Sequence, residues 1–127
     1  VYLHTAPMCH IGGISSGLAM LMAGGCHVLI PKFEAKLAAQ AIEENHVTSL
    51  ITVPAIMADL ISAVRYPKLY VLMPFRLKKS VECGQSLKKI LNGGGSLSTQ
   101  LIEDATKCFP RAKLFSAYGI LSFLYSF

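Results

Sequence analysis

Apolar residues along the chain recur in short blocks, and their spacing alternates between the period of strands and that of helices. Short apolar or β-branched runs predict strands, whereas longer runs with one apolar face predict helices. The predicted strands cover residues 1–3, 26–30, 48–53, 87–91 and 113–117, and the predicted helices cover residues 12–23, 34–45, 55–64 and 99–109. Because strand and helix alternate almost throughout, the pattern predicts the α/β class, with a mainly parallel sheet and helices packed on it.

Residues that favour helix ends mark several of these boundaries. Gly24-Gly25 ends the first helix, and Asn45 ends the second. Pro54 stands in the first turn of the third helix, where its missing N–H costs nothing. Ser98 can cap the fourth helix, which Pro110 ends. The faces predicted to be buried are Leu37, Ala38, Ala41 and Ile42 on the second helix, and Leu101, Ile102, Ala105, Cys108 and Phe109 on the fourth.

The apolar stretch of residues 11–30 allows a second interpretation, as a membrane span. About twenty apolar residues can cross a bilayer, and Gly13 and Gly17 have the spacing of small residues in packed membrane helices. The glycine pair and His27 interrupt this stretch, however, and favour a buried helix followed by a strand. We therefore predict no membrane span, with a small membrane protein as the less favoured alternative.

Composition limits the class of protein further. Hydrophobic residues make up 53% of the 127 residues and charged residues 15%, which excludes a disordered chain and fits one domain. The first residue is Val1 rather than Met and no leader-like segment follows, so we expect the chain to begin inside a longer sequence. The four cysteines form no CxxC pair and are predicted to be reduced, mostly buried thiols of a soluble intracellular protein, although an even number permits disulfides.

Much of the net charge of +5 comes from one basic segment. Its members are Arg65, Lys68, Arg76, Lys78, Lys79, Lys88 and Lys89. Such a cluster can attract phosphates, nucleic acid or anionic lipid, but no aromatic RNA motif or zinc finger accompanies this one. We predict that residues 65–85 form a solvated loop, with one strand at most and acidic neighbours elsewhere in the fold, and we predict no nucleic-acid partner.

The glycine-rich loop of residues 92–98 (NGGGSLS) follows a predicted strand and precedes a predicted helix. Consecutive glycines let a ligand approach the backbone closely, and open parallel sheets bind ligands outside the carboxyl ends of their strands. The loop has neither the GKS or GKT of a Walker loop nor the GxGxxG of dinucleotide-binding proteins. Taken alone, such a run is more commonly a tight structural turn.

Two further strand ends carry candidate residues. Tyr118 could stack on a base or fill the edge of the core. His10 could face a pocket, or could cap or pack against the helix that follows it. No metal site is predicted, because His10 has no ligand spacing with the other histidines, which are His4, His27 and His46.

Together and in this order, the three loops resemble the motifs of the AMP-forming acyl-activating superfamily, which includes acyl-CoA synthetases, luciferases and peptide-synthetase adenylation domains. Residues 7–13 (PMCHIGG) match its P-φ-x-H-x-x-G motif, residues 94–98 (GGSLS) resemble its glycine loop, and Tyr118-Gly119 matches the start of its YGxTE motif. Residues 47–54 (VTSLITVP) are similar to its V-T-x-x-x-x-V-P strand. Within the superfamily, residues 4–36 are most similar to the 2-succinylbenzoate–CoA ligases of plants, which act in phylloquinone synthesis in the chloroplast, with a peroxisomal association also proposed.

This resemblance implies part of the large N-terminal domain of an adenylate-forming ligase, and a two-step reaction. A small-molecule carboxylate would attack the α-phosphate of ATP, giving acyl-AMP and pyrophosphate, and the thiolate of CoA would then displace AMP. Mg²⁺ is the implied metal ion, since it offsets the charge of the phosphates. The implied substrate-binding residues are His10, Gly93 and Gly94, and the implied nucleotide-binding residues are Gly94, Gly95, Ser96, Tyr118 and Gly119.

The chain departs from the family pattern after Tyr118-Gly119. The family continues x-Thr-Glu, whereas Ile120 is followed here by Leu121 and Ser122, neither of which can hold a divalent cation as glutamate does. The family's phosphate loop, ribose-binding aspartate and C-terminal lysine domain are also not found in the 127 residues. We therefore expect residues 1–119 to form a partial AMP-binding domain, with residues 65–86 poorly matched and residues 120–127 an apolar tail outside the family.

A chain of this kind is expected to be a ligase fragment with no complete catalytic set and no metal site, inactive alone. The main alternative is a non-catalytic fragment that still binds a nucleotide or an acyl group, or that associates with a full-length ligase. The two unmatched segments would both follow from altered splicing or an error in gene prediction.

Overall fold

The computed structural model describes residues 1–66 and 84–117. Within these ranges the chain forms five strands and four helices in strict alternation. The elements are β1 (Tyr2–His4), α1 (Ile11–Met22), β2 (His27–Leu29), α2 (Ala35–Glu44), β3 (Ser49–Thr52), α3 (Pro54–Arg65), β4 (Lys89–Asn92), α4 (Thr99–Cys108) and β5 (Lys113–Ser116). Each predicted strand and helix is present, and the predicted α/β class is confirmed.

One parallel sheet holds the five strands in the order β2-β1-β3-β4-β5. Its register aligns Leu3 with Leu50 and Leu50 with Ile90, and all three side chains are buried. We call the face that carries these three residues the core face, and α2, α3 and α4 cover it. The helix residues of this core are Ala38, Ala39, Ala41 and Ile42 from α2, Met57, Leu60, Ile61 and Val64 from α3, and Ala105 from α4.

Helix α1 lies on the opposite face of the sheet. Crossovers between parallel strands are right-handed. The chain moves across the sheet in one direction from β1 to β2, and in the other direction from β2 to β3, β4 and β5. Helix α1 therefore lies on one face, and α2, α3 and α4 lie on the other. In agreement, Gly17 of α1 packs against His4, whose side chain points away from the core face. The loops that leave β1 and β3 therefore diverge at the carboxyl edge, and open α/β sheets form a ligand crevice at such a point.

The prediction of a buried helix over residues 12–23 is right in position and wrong in burial. Only Gly13 and Gly17 are buried on α1, and Met22 is 89% exposed. A Cβ at Gly13 would overlap the carbonyl oxygen of Pro7, so the small residues let α1 lie close to the preceding loop. This contact accounts for their spacing without a membrane partner. Among the described residues, no helix has the length and apolar character needed to cross a bilayer.

The helix ends agree with the predicted signals. Ser98 accepts a hydrogen bond from the backbone N–H of Leu101 at 3.2 Å, and Pro54 is the first residue of α3. At the end of α2, Asn45 Nδ2 donates to the carbonyl oxygen of Ala41 at 3.0 Å. The bond to Ser98 satisfies a backbone N–H that the helix leaves unpaired at its N-terminus. The carbonyl oxygen of Ala41 also accepts the backbone N–H of Asn45, at 3.1 Å.

The predicted buried faces of α2 and α4 are wrong at one position each. Leu37 and Ile102 are exposed, and Ala39 is buried on α2 instead of Leu37. Helix α2 packs against its neighbours through alanines, which allow close approach, so the longer side chain of Leu37 lies outside the contact.

The predicted solvated basic segment begins at Arg65, the last residue of α3. Its Nη2 lies 2.8 Å from Oδ1 of Asp104 on α4, and this hydrogen bond, with a second from Gln100, lowers the pKa of Asp104. The acidic partner expected elsewhere in the fold is thus present for Arg65. Because the pair is exposed to solvent, it contributes little to stability. Residues 67–83, which include most of the predicted loop, lie outside the described residues.

The prediction of mostly buried thiols is wrong for the cysteines that the structure describes. Cys9 and Cys26 are exposed, and Cys108 is half-buried. Cys9 lies in the loop before α1 and Cys26 lies just before β2, and neither residue belongs to the buried core. Cys83 lies outside the described residues.

A polar cluster of Tyr2, His4 and His27 lies on the α1 side of the sheet. His4 Nε2 and His27 Nδ1 are 2.8 Å apart, and their rings stack with centroids 5.1 Å apart. The ring of Tyr2 meets that of His4 edge-on at 4.7 Å. A hydrogen bond between two ring nitrogens needs one of them unprotonated, so charging both rings would break it. Burial and the neighbouring His27 lower the pKa of His4.

We expect the free energy of unfolding to fall as the pH drops from about 7.5 to about 5.5. His4 titrates near pH 6.5 in an unfolded chain and at a lower pH in the folded protein. Below about pH 6.5 the unfolded state therefore binds more protons, and stability is lost as the pH falls through the folded pKa. Asp104, whose pKa is lowered, stays ionised across this window. Urea unfolding at both pH values measures the change, which should be smaller in His4→Gln.

The control for this experiment is His46→Asn. His46 is exposed and has a φ of 50°, a conformation that asparagine tolerates. This variant should keep the wild-type dependence on pH. If the free energy of unfolding of His4→Gln falls as much as that of wild type between the two pH values, the assignment of the pH dependence to His4 is wrong.

Candidate functional site

The candidate site lies at the carboxyl edge of the sheet, where four loops leave adjacent parallel strands. Residues 5–10 follow β1, Val53 follows β3, residues 93–98 follow β4 and Ala117 follows β5. Parallel strands end at the same edge, so the described parts of the sequence-predicted loops lie along that edge. The crevice between diverging connections lies between the first two of these loops, beside the glycine loop.

The glycine loop rests directly on the start of α3. Gly93 donates its backbone N–H to the carbonyl oxygen of Thr52 at 2.9 Å. Gly94 has a φ of +72°, and a Cβ there would lie 3.2 Å from Cγ1 of Val53. A Cβ at Gly95 would lie 3.3 Å from Cγ of Pro54. Gly94 is therefore favoured by its left-handed conformation, whereas a Cβ at Gly95 would require Pro54 to shift by a few tenths of an ångström. Both observations support the interpretation of the loop as a structural turn.

Exposure keeps the ligand-binding interpretation of the same loop open. Gly94, Gly95 and Ser96 are all exposed at the edge, although the loop is held against α3. The loop also faces the next strand end, since a Cβ at Gly93 would lie 4.0 Å from Cβ of Ala117. The structure therefore brings the predicted residues 93–96 together with the segment that leads into Tyr118-Gly119. Tyr118 and Gly119 themselves lie outside the described residues.

His10 caps the N-terminus of α1. Its Nδ1 accepts a hydrogen bond from the backbone N–H of Gly12 at 3.2 Å. Because Nδ1 is the acceptor, the proton of the neutral ring lies on Nε2, where it can be donated to a ligand. The capping interpretation is thus confirmed. His10 lies at the same edge as the glycine loop, but β3 separates the strand that precedes His10 from the strand that precedes the loop.

Asn92 is a residue of this edge that the sequence pattern did not single out. It is the last residue of β4 and 1% exposed. Its Nδ2 donates to the carbonyl oxygen of Gly95 at 2.8 Å, and its Oδ1 is buried without a hydrogen-bond partner among the described residues. The bond contributes about 1 kcal/mol net, whereas a buried unpaired oxygen costs about 1–3 kcal/mol. The unpaired oxygen of Asn92 therefore offsets the stability that its hydrogen bond contributes.

Two threonines at neighbouring strand ends resemble Asn92, because their side chains also donate hydrogen bonds to backbone carbonyl oxygens. The hydroxyl of Thr5 donates to the carbonyl oxygen of Ile51, and that of Thr52 donates to the carbonyl oxygen of Val53 at 3.1 Å. The register brings Thr52 and Asn92 side by side in the sheet. We call Thr5, Thr52 and Asn92 the polar rung. Short polar residues at the ends of apolar strands are the signal that could have revealed it.

Metal ligation finds little support in this part of the chain. Residues 1–66 and 84–117 contain no group of three or more His, Cys, Asp or Glu side chains placed to hold a metal ion. Backbone groups, hydroxyls and one imidazole N–H are what the carboxyl edge offers, and these suit hydrogen bonding to a polar organic ligand.

We expect Gly94→Ala to lower the free energy of unfolding by about 1–2 kcal/mol, because an alanine is strained in the left-handed conformation. The matched control is Gly93→Ala, since Gly93 is the neighbouring residue, has no left-handed φ and would make only an ordinary contact. This control should change stability by less than about 1 kcal/mol in either direction. Urea unfolding of both variants measures the difference, and equal losses would contradict the role assigned to Gly94.

Comparison with known proteins identifies relatives of this chain. The AMP-binding enzyme family matches residues 1–120. The chain is 53% identical over 120 residues to the chloroplastic/peroxisomal 2-succinylbenzoate–CoA ligase of Arabidopsis thaliana, covering 94% of this chain and 20% of that protein. It is 30% identical over 124 residues to the 4-coumarate–CoA ligase-like 6 protein of the same plant, covering 94% and 19%. The chain thus spans about a fifth of the length of these relatives.

Solved structures show the same fold. The luciferase-like enzyme of the mealworm Zophobas morio superposes with a TM-score of 0.73 at 27% identity, covering 94% of this chain and 25% of that one. The O-succinylbenzoate coenzyme A synthetase of Bacillus subtilis, in complex with ATP and magnesium ion, superposes with a TM-score of 0.71 at 24% identity, covering 94% and 21%. With its parallel sheet, its loops at one edge and a family match over residues 1–120, the chain belongs to the AMP-binding enzyme family.

Proposed function

We propose that this chain forms one wall of the adenylate site of an AMP-forming acid–CoA ligase that acts on 2-succinylbenzoate. The observation that carries the proposal is the exposed glycine loop, held at the carboxyl edge beside the point where the connections diverge. The substrate is suggested by the relative at 53% identity, whose name gives 2-succinylbenzoate as its substrate. The names of that relative also suggest the chloroplast or the peroxisome as the location.

The proposed reaction has two displacements. A carboxylate oxygen forms a bond to the α-phosphorus of ATP, and the bond to the bridging oxygen breaks, so the electron pair leaves with pyrophosphate. The thiolate sulfur of CoA then forms a bond to the acyl carbon, and AMP leaves with the electron pair of the broken C–O bond. Adenylation supplies a leaving group that a free carboxylate lacks.

In this scheme the residues of the carboxyl edge bind and orient. The exposed Gly94 and Gly95 let the adenylate approach the backbone, because no Cβ intervenes. His10, with its ring proton on Nε2, can donate to an oxygen of the acyl group. By family resemblance, Tyr118 would stack on adenine, with Ser96 and Gly119 beside the nucleotide. Mg²⁺, when bound, offsets phosphate charge, but the described residues contain no cluster of three or more His, Cys, Asp or Glu side chains that could hold it.

We further propose that the 127 residues do not catalyse adenylation alone. This rests on Leu121 and Ser122, which stand where the family has its metal-assisting Thr-Glu pair. On this proposal residues 1–119 form a partial AMP-binding domain, residues 65–86 are a poorly matched basic segment within it, and residues 120–127 are an apolar tail outside the family. The alternative role is a non-catalytic one, in which the chain binds a nucleotide or acyl group, or associates with a full-length ligase.

We expect no ATP–pyrophosphate exchange by the purified chain with 2-succinylbenzoate, because the groups that would stabilise charge on the phosphates are missing from its sequence. Isotope exchange into ATP measures this, with the 2-succinylbenzoate–CoA ligase of Arabidopsis thaliana as the positive control. Exchange above background by the chain would contradict the proposed inactivity.

Addition of the chain to the full-length ligase tests association, which would alter the rate of the ligase.

Binding is tested apart from catalysis, by titration of the chain with a non-hydrolysable acyl-sulfamoyl adenosine that carries 2-succinylbenzoate. We expect saturable binding that Gly94→Ala weakens more than Gly93→Ala does, since only the first substitution strains the loop. Absence of saturable binding would reject the proposal that this part of the wall binds the adenylate unaided.

A further inference from the structure

The side chain of Asn92 connects the end of β4 to the far end of the glycine run. Its Nδ2 lies 2.8 Å from the carbonyl oxygen of Gly95, so the bond spans Gly93 and Gly94. The assignment of the amide follows from chemistry, since a carbonyl oxygen only accepts hydrogen bonds and must face the nitrogen. Asn92 is buried in the sheet, between Thr52 and Ser116 in the register, and its position is therefore fixed.

Without this bond the far end of the glycine run would lose one of the groups that restrain it. Glycine has more backbone freedom than any other residue, and three follow one another here. Among the described residues, the backbone bond from Gly93 to Thr52 restrains the beginning of the run, and the bond from Asn92 restrains its end. Gly94 lies between these two restraints in its left-handed conformation. The two bonds, with the packing against Val53 and Pro54, favour one conformation of the run.

The unpaired oxygen of Asn92 argues that loop geometry, rather than stability, is what the side chain supplies. Oδ1 is buried with no partner in residues 1–66 and 84–117, and the cost of such an atom is similar to or larger than the gain from one hydrogen bond. Position 92 lies on the same face of β4 as the buried Ile90, so an apolar residue there would give a similar free energy of unfolding. An apolar side chain could not, however, donate a hydrogen bond to the carbonyl oxygen of Gly95.

We propose that Asn92 is a positioning residue for the adenylate site, which holds Gly94 and Gly95 in the conformation that the ligand meets. This inference rests on the proposed function for its ligand, but the loop geometry it describes can be measured without one. Asn92 does not touch the reacting atoms in this scheme. It acts through the backbone of the glycine run.

The test follows the backbone amide resonances of Gly93, Gly94 and Gly95 in NMR spectra of the labelled full chain. In Asn92→Leu, which cannot donate, we expect these resonances to shift or broaden while those of the core helices stay in place. The matched control is Asn45→Leu, which removes the same kind of bond, from Asn45 Nδ2 to Ala41 at 3.0 Å, at the end of α2. Asn45 precedes β3 and lies at the opposite, amino edge of the sheet, so its loss should leave the glycine resonances unchanged.

Asn92→Asp adds a second measurement, the pH dependence of the glycine resonances, which would show no effect if Asn92 did not act on the glycine run. A protonated carboxyl can donate to the carbonyl of Gly95, whereas an ionised one cannot. Burial raises the pKa of a carboxyl above its usual value of about 4. We therefore expect native-like glycine resonances at low pH and altered ones at high pH, with one midpoint. Thr52 and Ser116 flank position 92 in the register and carry no charge. Spectra of wild type over the same pH range correct for the histidines, including His10 at this edge and His4 on the other face.

Titration with the acyl-sulfamoyl adenosine gives the functional outcome. We expect Asn92→Leu to bind about tenfold more weakly than wild type, the factor that one hydrogen bond is worth, and Asn45→Leu to bind equally. Loss of binding in Asn92→Asp should follow the same pH midpoint as its glycine resonances.

The possible outcomes separate this inference from the proposed function. Failure of wild type to bind the probe would count against the proposed binding, while the glycine resonances would still decide the role of Asn92. Glycine resonances that are unchanged in Asn92→Leu, or that show no titration in Asn92→Asp, would overturn the inference. If Asn92→Leu does not fold, Asn92→Asp at low and high pH decides the question within one variant.

Discussion

The register of the parallel sheet is the constraint on which the candidate site depends. Burial of Leu3, Leu50 and Ile90 in one row fixes how β1, β3 and β4 are aligned. Side chains alternate between faces, so the residues two places further along, Thr5, Thr52 and Asn92, return to the same face at the same height. A slip of one residue would send them to the other face, away from the carbonyl oxygens to which they donate. The apolar core thus sets the position of the polar rung.

Most of the fold could be predicted from the sequence because its signals are local. Helix ends at Asn45, Pro54 and Ser98 agree with the structure, since capping and proline geometry depend on only a few neighbouring residues. The alternation of strands and helices identified the parallel sheet, and with it the edge that carries the glycine loop. The motif order identified the family for the same reason, because each motif is a short strand end.

What could not be predicted depends on contacts between distant parts of the chain. His4 and His27 are 23 positions apart and pair only because β1 and β2 are neighbours in the sheet. The exposure of α1 follows from its lying alone on one face, which hydrophobic periodicity does not reveal. Asn92 was read as the first residue of a loop, although it is the last residue of a strand, and so its buried side chain was overlooked.

The glycine loop shows why a glycine-rich motif by itself identifies a function poorly. Glycine permits a left-handed turn and a close approach, but it favours no single conformation. Selection comes from groups outside the run, which here are the Thr52 carbonyl, the Val53 and Pro54 side chains and the amide of Asn92. These groups all belong to strand ends or to the first turn of α3, and the buried core holds them rigidly. A ligand that met a free glycine run would have to order it on binding, and the affinity would be lower by that entropy. The restraint from neighbouring strand ends therefore turns a permissive sequence into a preformed surface.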